Sequence, residues 1–322
     1  MMNKSLVLYI AIILNLVLAP IVSAQEDVLF TNRQLRMAYT NPAYIPEILE
    51  ATITLGGRTQ WRNIEGAPNT FFASARYFFI GAHSQVALTM LGDKIGYTKT
   101  TMPKLTYAYM VPFNEDCYLN LGVGAGFVSR RYDFDMMNTM GVNSENVAID
   151  KLDNYTAPDA EAGFELLLQN FELGASVNHL ITTGEENQKM HKLWSGYVNY
   201  LMQSKEWWRL IPSYSFYKYE DRNKHQLSVC FQYLFDFEFH PKDLFYVGMA
   251  YRFNYEGSVL FGINMFSFLS VFYSYDYFFG SLRHDNRGTH ELGIEIKIPQ
   301  KFKGCFANYG KSHKYTRYTR IK

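Results

Sequence analysis

The segment Val271–Gly280, VFYSYDYFFG, puts six Phe or Tyr rings into ten residues. At the two-residue period of a strand, Leu269, Val271, Tyr273, Tyr275 and Tyr277 share one face. Ser270, Phe272, Ser274, Asp276 and Phe278 share the other. The first face is apolar or aromatic throughout, whereas the second is mixed and holds a carboxylate. Such a strand separates two environments, but its alternation alone does not say whether the apolar one is lipid or a protein core.

The ends of the chain narrow the choice. Residues 1–24 have the layout of a secretory signal: a short basic start with Lys4, an apolar run from Leu6 to Ala19, and small residues at Ser23 and Ala24. Cleavage is expected after Ala24. No later run of 18 apolar residues offers a transmembrane helix. Hydrophobic residues make up 48% of the chain and aromatics 17%, which excludes a disordered composition. With 31 basic residues against 30 acidic, nothing points to a polyanionic partner. Cys117, Cys230 and Cys305 are odd in number and widely spaced, so they form neither a disulfide framework nor a zinc ligand set, although one disulfide stays open.

Alternating segments recur along the chain at 51–62, 70–79, 84–91, 102–112, 118–132, 158–169, 171–182, 194–203, 207–219, 225–240, 243–256, 258–265, 269–280 and 288–299. Each is near the ~9–11 residues that a tilted strand needs to cross an outer membrane. Their faces are consistent. Leu119, Leu121, Val123, Ala125 and Phe127 alternate with Asn120, Gly122, Gly124 and Gly126, and small residues of that kind suit a lumen or a close backbone approach. Links after odd segments, such as 63–69, 92–101, 133–157 and 183–193, are long, and links after even segments are short. Long outer loops and short periplasmic turns produce this asymmetry in outer-membrane barrels. The expected fold is all-β: a single antiparallel transmembrane β-barrel of about 14 strands with periplasmic N- and C-terminal segments. A soluble two-sheet sandwich is the alternative. The domain layout is a signal peptide at 1–24, an N-terminal periplasmic segment at 25–50, the barrel at 51–299 and a basic tail at 300–322. That tail is either an arm for an acidic partner or a solvated end.

The segment QLRMAYTNPAYIPEILEATITLGGRTQWRNIEGAPNTFFAS resembles the opening of the PorP/SprF family, outer-membrane proteins of type IX secretion and gliding motility. The resemblance rests on Asn41-Pro42-Ala43, on Arg58 and Trp61, and on Pro68. It continues in Asp93 and Gly96 of LGDKIGYTKTT, and in Asp276, His290 and Glu291 of the terminal hairpin. It covers essentially the whole mature chain. The sequence departs from the family at Pro46-Glu47, where many relatives carry a small residue and Gly, and in its tail. The resemblance implies a non-catalytic outer-membrane component without cofactors. Its implied partners are outer-membrane lipid, periplasmic type IX components and an exported surface protein or adhesin, with no nucleic acid.

Several of these residues carry physical expectations of their own. Pro42 fixes φ and extends Asn41, which suits a turn leading into the first strand, with a plug or docking surface as the alternative. Arg58, Arg62 and Arg76 fall on polar faces, as do Asp276 and Glu291. Closure of the barrel would pair the last strand with the first and bring Arg58 to Glu291 as an inward ion-pair cluster. Asp93 and Gly96 are expected in an outer loop, beside the loop that carries Pro68. His179 and His290 fall on mostly apolar faces. No nucleophile elbow, phosphate-binding loop or metal motif is present, so no metal or catalytic residue is assigned. The alternative functions are a channel for a small solute and a secreted sandwich-type binding protein.

Overall fold

The structure is a computed structural model that describes residues 27–46, 48, 50–114, 116–133, 154–181, 190–203, 208–220, 222–237, 240–265, 268–279 and 286–299. The signal segment, the basic tail and Cys305 lie outside these residues. The strands are β1 (Glu50–Thr59), β2 (Asn69–Phe79), β3 (Ser84–Ile95), β4 (Thr98–Asn114), β5 (Cys117–Tyr132), β6 (Tyr155–Leu168) and β7 (Phe171–Asn178). They continue with β8 (Leu193–Tyr200, extended by a bridge at Met202–Gln203), β9 (Trp208–Tyr219), β10 (Arg222–Phe237), β11 (His240–Arg252), β12 (Glu256–Met265), β13 (Leu269–Phe278) and β14 (Thr289–Pro299). One helix, α1 (Arg33–Thr40), precedes β1.

Each strand pairs antiparallel with its sequence neighbours, and the ring closes where β14 pairs with β1. Among the described residues closure leaves no edge strand, which a spanning sheet requires because lipid cannot hydrogen-bond an open one. No helix among the described residues is long and apolar enough to cross a membrane.

The distribution of residues is inside out relative to a water-soluble sheet protein. Phe71 (50% exposed), Leu88 (59%), Val123 (57%) and Met249 (66%) point outward. Their neighbours in the alternation, among them Thr70, Thr89 and Asn120, are buried. A monomer facing water rarely shows so continuous an apolar surface, but a lipid-facing wall must. The segment 271–280 fits this arrangement: Tyr273 and Tyr277 are exposed outside, while Ser270, Ser274 and Asp276 are buried inside.

The structure shifts several expected boundaries. β3 runs to Ile95 and β4 begins at Thr98, so the expected loop at 92–101 is a hairpin turning at Gly96-Tyr97. Gly96 takes φ +54°, which such a tight turn needs, and the β-branched Thr98, Thr100 and Thr101 favour strand beyond it. Asp93 is therefore a strand residue. β1 stops at Thr59, and Trp61 (φ 43°) lies in the turn that follows. Arg62 is exposed in that turn rather than on a lumen face. The turns after even strands, at 80–83, 115–116 and 169–170, are short. Links such as 133–154 and 179–192 emerge at the opposite, long-loop end.

Candidate functional site

The lumen is filled by the chain that precedes β1. Residues Val28–Ile45 are almost all buried, and they touch β1, β2, β3, β6, β7, β11, β13 and β14. Only a segment inside the ring can meet strands on every side. The turn expected at Asn41-Pro42-Ala43 is present, but it does not simply lead into β1: it lies within the lumen, as the plug alternative has it. This stretch is a stopper enclosed by the wall.

Local sequence explains its helix. Asn32 is extended and its side-chain oxygen accepts from the backbone N–H of Gln34, an N-cap that starts α1. Leu35, Met37 and Ala38 are buried along the helix, and Pro42 follows its end. The barrel wall completes both termini. The Glu291 carboxylate accepts the N–H groups of Thr31 (2.9 Å) and Asn32 (2.7 Å), placing negative charge at the positive end of the helix. At the other end the Arg76 guanidinium donates to the carbonyl of Ala38 (2.6 Å) and to that of Tyr44 (3.2 Å). Ser176 donates to the Thr40 carbonyl (2.6 Å). Backbone groups that a buried helix end would leave unpaired are satisfied by wall side chains.

Room for the stopper comes from glycine. A methyl group on Gly122 would overlap the backbone of Pro42 and Ala43, and one on Gly163 would overlap the Asn41 side chain. Asn41 folds its own turn by accepting from Ala43 N–H (2.9 Å), and it donates to the carbonyl of Phe164 (3.1 Å). Below it, at the short-turn end, Ile45 and Ile48 pack with Phe78, Ile80, Met110, Tyr118 and Leu167.

Two charge clusters line the lumen. In the first, Arg58 is 1% exposed and contacts Asp276 (2.6 Å), Glu291 (3.1 Å) and Glu256 (3.6 Å). Arg252 pairs with Glu256, and the Thr31 hydroxyl donates to Asp276 (2.9 Å). Arg58 and Glu291 are register partners across the closing seam. In the second cluster Lys104 lies 2.8 Å from Glu161 and 3.5 Å from Asp159. His179 sits between Asp159 (3.0 Å) and Asp27 (3.2 Å), and Tyr39 donates its hydroxyl proton to Asp27. His179 follows the last residue of β7, and its φ of 58° turns the ring inward, so its expected apolar-face position is corrected. Burial opposes charge on the imidazole, but hydrogen bonds to Asp159 and Asp27 outweigh it and hold His179 up at about 9. Burial likewise opposes the Asp27 carboxylate, and His179 still keeps it below the usual range. A third group joins Arg33 of the stopper to Glu172, and Tyr197 donates to Glu165 (2.6 Å).

The remaining sequence candidates lie away from this interior site. Trp61 packs on Phe278 (6.1 Å between rings), and the Pro68 carbonyl accepts from Gln60 N–H (2.9 Å). Asp93 accepts from the Thr70 hydroxyl (2.6 Å), and Gly96 N–H donates to the Gly66 carbonyl (2.8 Å), tying two turns together at the long-loop rim. His290 is on the outer wall, 2.7 Å from the Tyr273 hydroxyl. Asn41, Pro42, Ala43, Arg58, Asp276 and Glu291 are thus gathered in the lumen; Asp93 is on the lumen face of β3 at the rim, bonded to the inward Thr70, and Trp61, Pro68, Gly96 and His290 are not in the lumen. Lys104, Asp159, Glu161, Glu165 and Glu172 are not among the sequence candidates, and His179 was placed on the wrong face. The i, i+2 series Asp159, Glu161, Gly163, Glu165 was the signal that could have found three of them.

A closed antiparallel ring, apolar outside and charged inside, with its own N-terminal segment held in the lumen, defines an outer-membrane-type β-barrel of the plugged kind. Residues 22–296 match the family model for the type IX secretion system membrane protein PorP/SprF, and the chain belongs to that family. Among solved structures it is similar to the toluene transporter TodX of P. putida, with 9% identity over 85% of this chain and 96% of that one, at a TM-score of 0.50. It is also similar to the toluene transporter TbuX of Ralstonia pickettii, with 8% identity over 83% of this chain and 94% of that one, at a TM-score of 0.51. At such identities the likeness is one of fold. No curated protein matches the sequence.

Proposed function

We propose that this chain is a non-catalytic outer-membrane component of type IX protein secretion and gliding motility, exported by a cleaved signal at 1–24. It joins the periplasmic part of the machine to an exported or surface-attached protein. The observation that carries this reading is the family match over 22–296. The filled lumen supports it, because wall groups that could select a solute are engaged with the stopper instead. His179 and the carboxylates of Glu291, Asp276 and Glu172 are likewise engaged with Asp27, Thr31, Asn32 and Arg33 of the N-terminal segment, which supports a structural use over a catalytic one. The barrel fixes position in the membrane, the outer loops meet the exported protein, and the basic tail at 300–322 docks on the periplasmic side.

The test is a pull-down of the tagged protein from detergent-solubilised outer membranes, with bound proteins identified by mass spectrometry. Recovery of periplasmic type IX components or of one large surface protein is expected. Recovery of neither, together with a steady conductance in planar bilayers, overturns the reading in favour of a solute channel.

A further inference from the structure

The stopper has a direction. The contacts of its two ends fall at opposite mouths of the barrel, although in between the long Arg33 side chain reaches Glu172 near the short-turn end of β7 and the Thr40 carbonyl meets Ser176 near the long-loop end of that strand. Asp27 lies at the long-loop end: its carboxylate meets His179, just past the top of β7, and its carbonyl accepts from Tyr219, the last residue of β9 (3.2 Å). Leu29 packs with Leu193, Tyr217 and Tyr219 at that same end. Thr31 and Asn32 meet Asp276 and Glu291, both within three residues of the long-loop ends of β13 and β14. Ala43 then passes Gly122 in the middle of β5. Tyr44 reaches Gln85, the second residue of β3 at the short-turn end. Ile45 and Ile48 close that end against Ile80 and Tyr118, and β1 begins two residues later. The eight residues of α1 are about 12 Å long, and extended flanks join them to the two ends.

We propose that the stopper begins, at Asp27, at the long-loop mouth, on the opposite side of the membrane from the point where β1 enters it. An even number of strands would place a free N-terminal segment beside the start of β1. Threading through the lumen reverses that, so the amino-terminal end of the stopper lies among the loops that face the exported protein. Which side of the cell this is rests on the outer-membrane reading above. That the end shares a side with the long loops does not.

Single cysteines test the two statements separately, in a full-length chain whose Cys117, Cys230 and Cys305 are replaced by Ser. Glu26→Cys reports the amino-terminal end, Glu65→Cys the exposed long-loop turn after β1, and Asn170→Cys the exposed turn between β6 and β7. Each is labelled with a membrane-impermeant maleimide in intact cells and after permeabilisation. Residue 26 is expected to label under the conditions that label residue 65, with residue 170 labelling only under the other. Residue 26 behaving like residue 170, or failing to label even after permeabilisation while the other two label, overturns the threading. Whichever of residues 65 and 170 labels in intact cells reports the orientation independently. Labelling of both in intact cells defeats the membrane reading while leaving the comparison of residue 26 with each to be read in vesicles of the purified barrel, where the same two outcomes decide.

Discussion

Replacing Arg58 by Met removes the cation from the seam and leaves the shape of the stem. The guanidinium is 1% exposed and lies within 3.6 Å of three carboxylates. Arg252 still neutralises Glu256, so the loss falls on Asp276 and Glu291, which are left as buried anions with only neutral donors from Thr31 and Asn32. Breaking a buried ion pair from one side typically costs ~3–5 kcal/mol. The expected destabilisation of Arg58→Met is therefore about 4 kcal/mol, read as a lower guanidinium midpoint for the barrel refolded in lipid vesicles. Tryptophan fluorescence follows the transition, and Trp61 beside Phe278 lies close to the seam. Adding Asp276→Asn and Glu291→Gln to the same chain removes the stranded charges, and it should recover at least half of the loss. A single variant within ~0.5 kcal/mol of wild type, or a triple variant no better than the single, refutes the account of the cluster as a mutually neutralised set.

Three further outcomes follow from the same geometry. Gly122→Val drives the wall into Pro42 and Ala43, so amide exchange at Asn41–Tyr44 should rise and channel-like current steps should appear, at a cost of ~1–3 kcal/mol from overpacking. His179 titrates at 6.5 when unperturbed and at about 9 in the fold, so its contribution is complete below pH 6.5 and is lost as pH rises through 9. That contribution is of the order of 3 kcal/mol. Protease access at residues 27–32 should therefore increase between pH 8 and 10, and His179→Gln should remove that dependence. Val123→Arg on the outer wall should lower stability in lipid by ~2–4 kcal/mol, whereas Val123→Leu should leave it unchanged; equal midpoints for the two would place Val123 away from lipid.

The strands were legible because most obey a single period over many residues, the register shifts at Pro112/Asn114 and Tyr233/Leu234 falling toward strand ends. Even the meeting of Arg58 with Glu291 could be read in advance, since closure of an even ring dictates which strands become neighbours. The stopper could not be read in this way. Amphipathic periodicity reports a helix lying between a core and water, but α1 lies inside a polar wall, so Arg33, Gln34 and Arg36 have uses there that a surface helix would not give them. The helix was not read from the sequence, and the partners that make a helix of eight residues stable, Glu291 and Arg76, are more than 250 and about 35 positions away. His179 was misplaced because strand alternation was carried one residue past the point where the backbone turns.

The Glu291 contacts with Thr31 and Asn32 span about 260 positions of sequence. The segment that enters the lumen is thus among the first to be made, and the strand that fastens it is the last. Before β14 arrives, Arg58 has neither Asp276 nor Glu291 unless the neighbouring hairpin is already in place, and the N-terminus of α1 has no carboxylate. Closing the ring and capping α1 are consequently coupled: the carboxylate that meets Arg58 across the seam is the one that holds the start of the helix, so a chain that ends short of Glu291 loses both contacts at once.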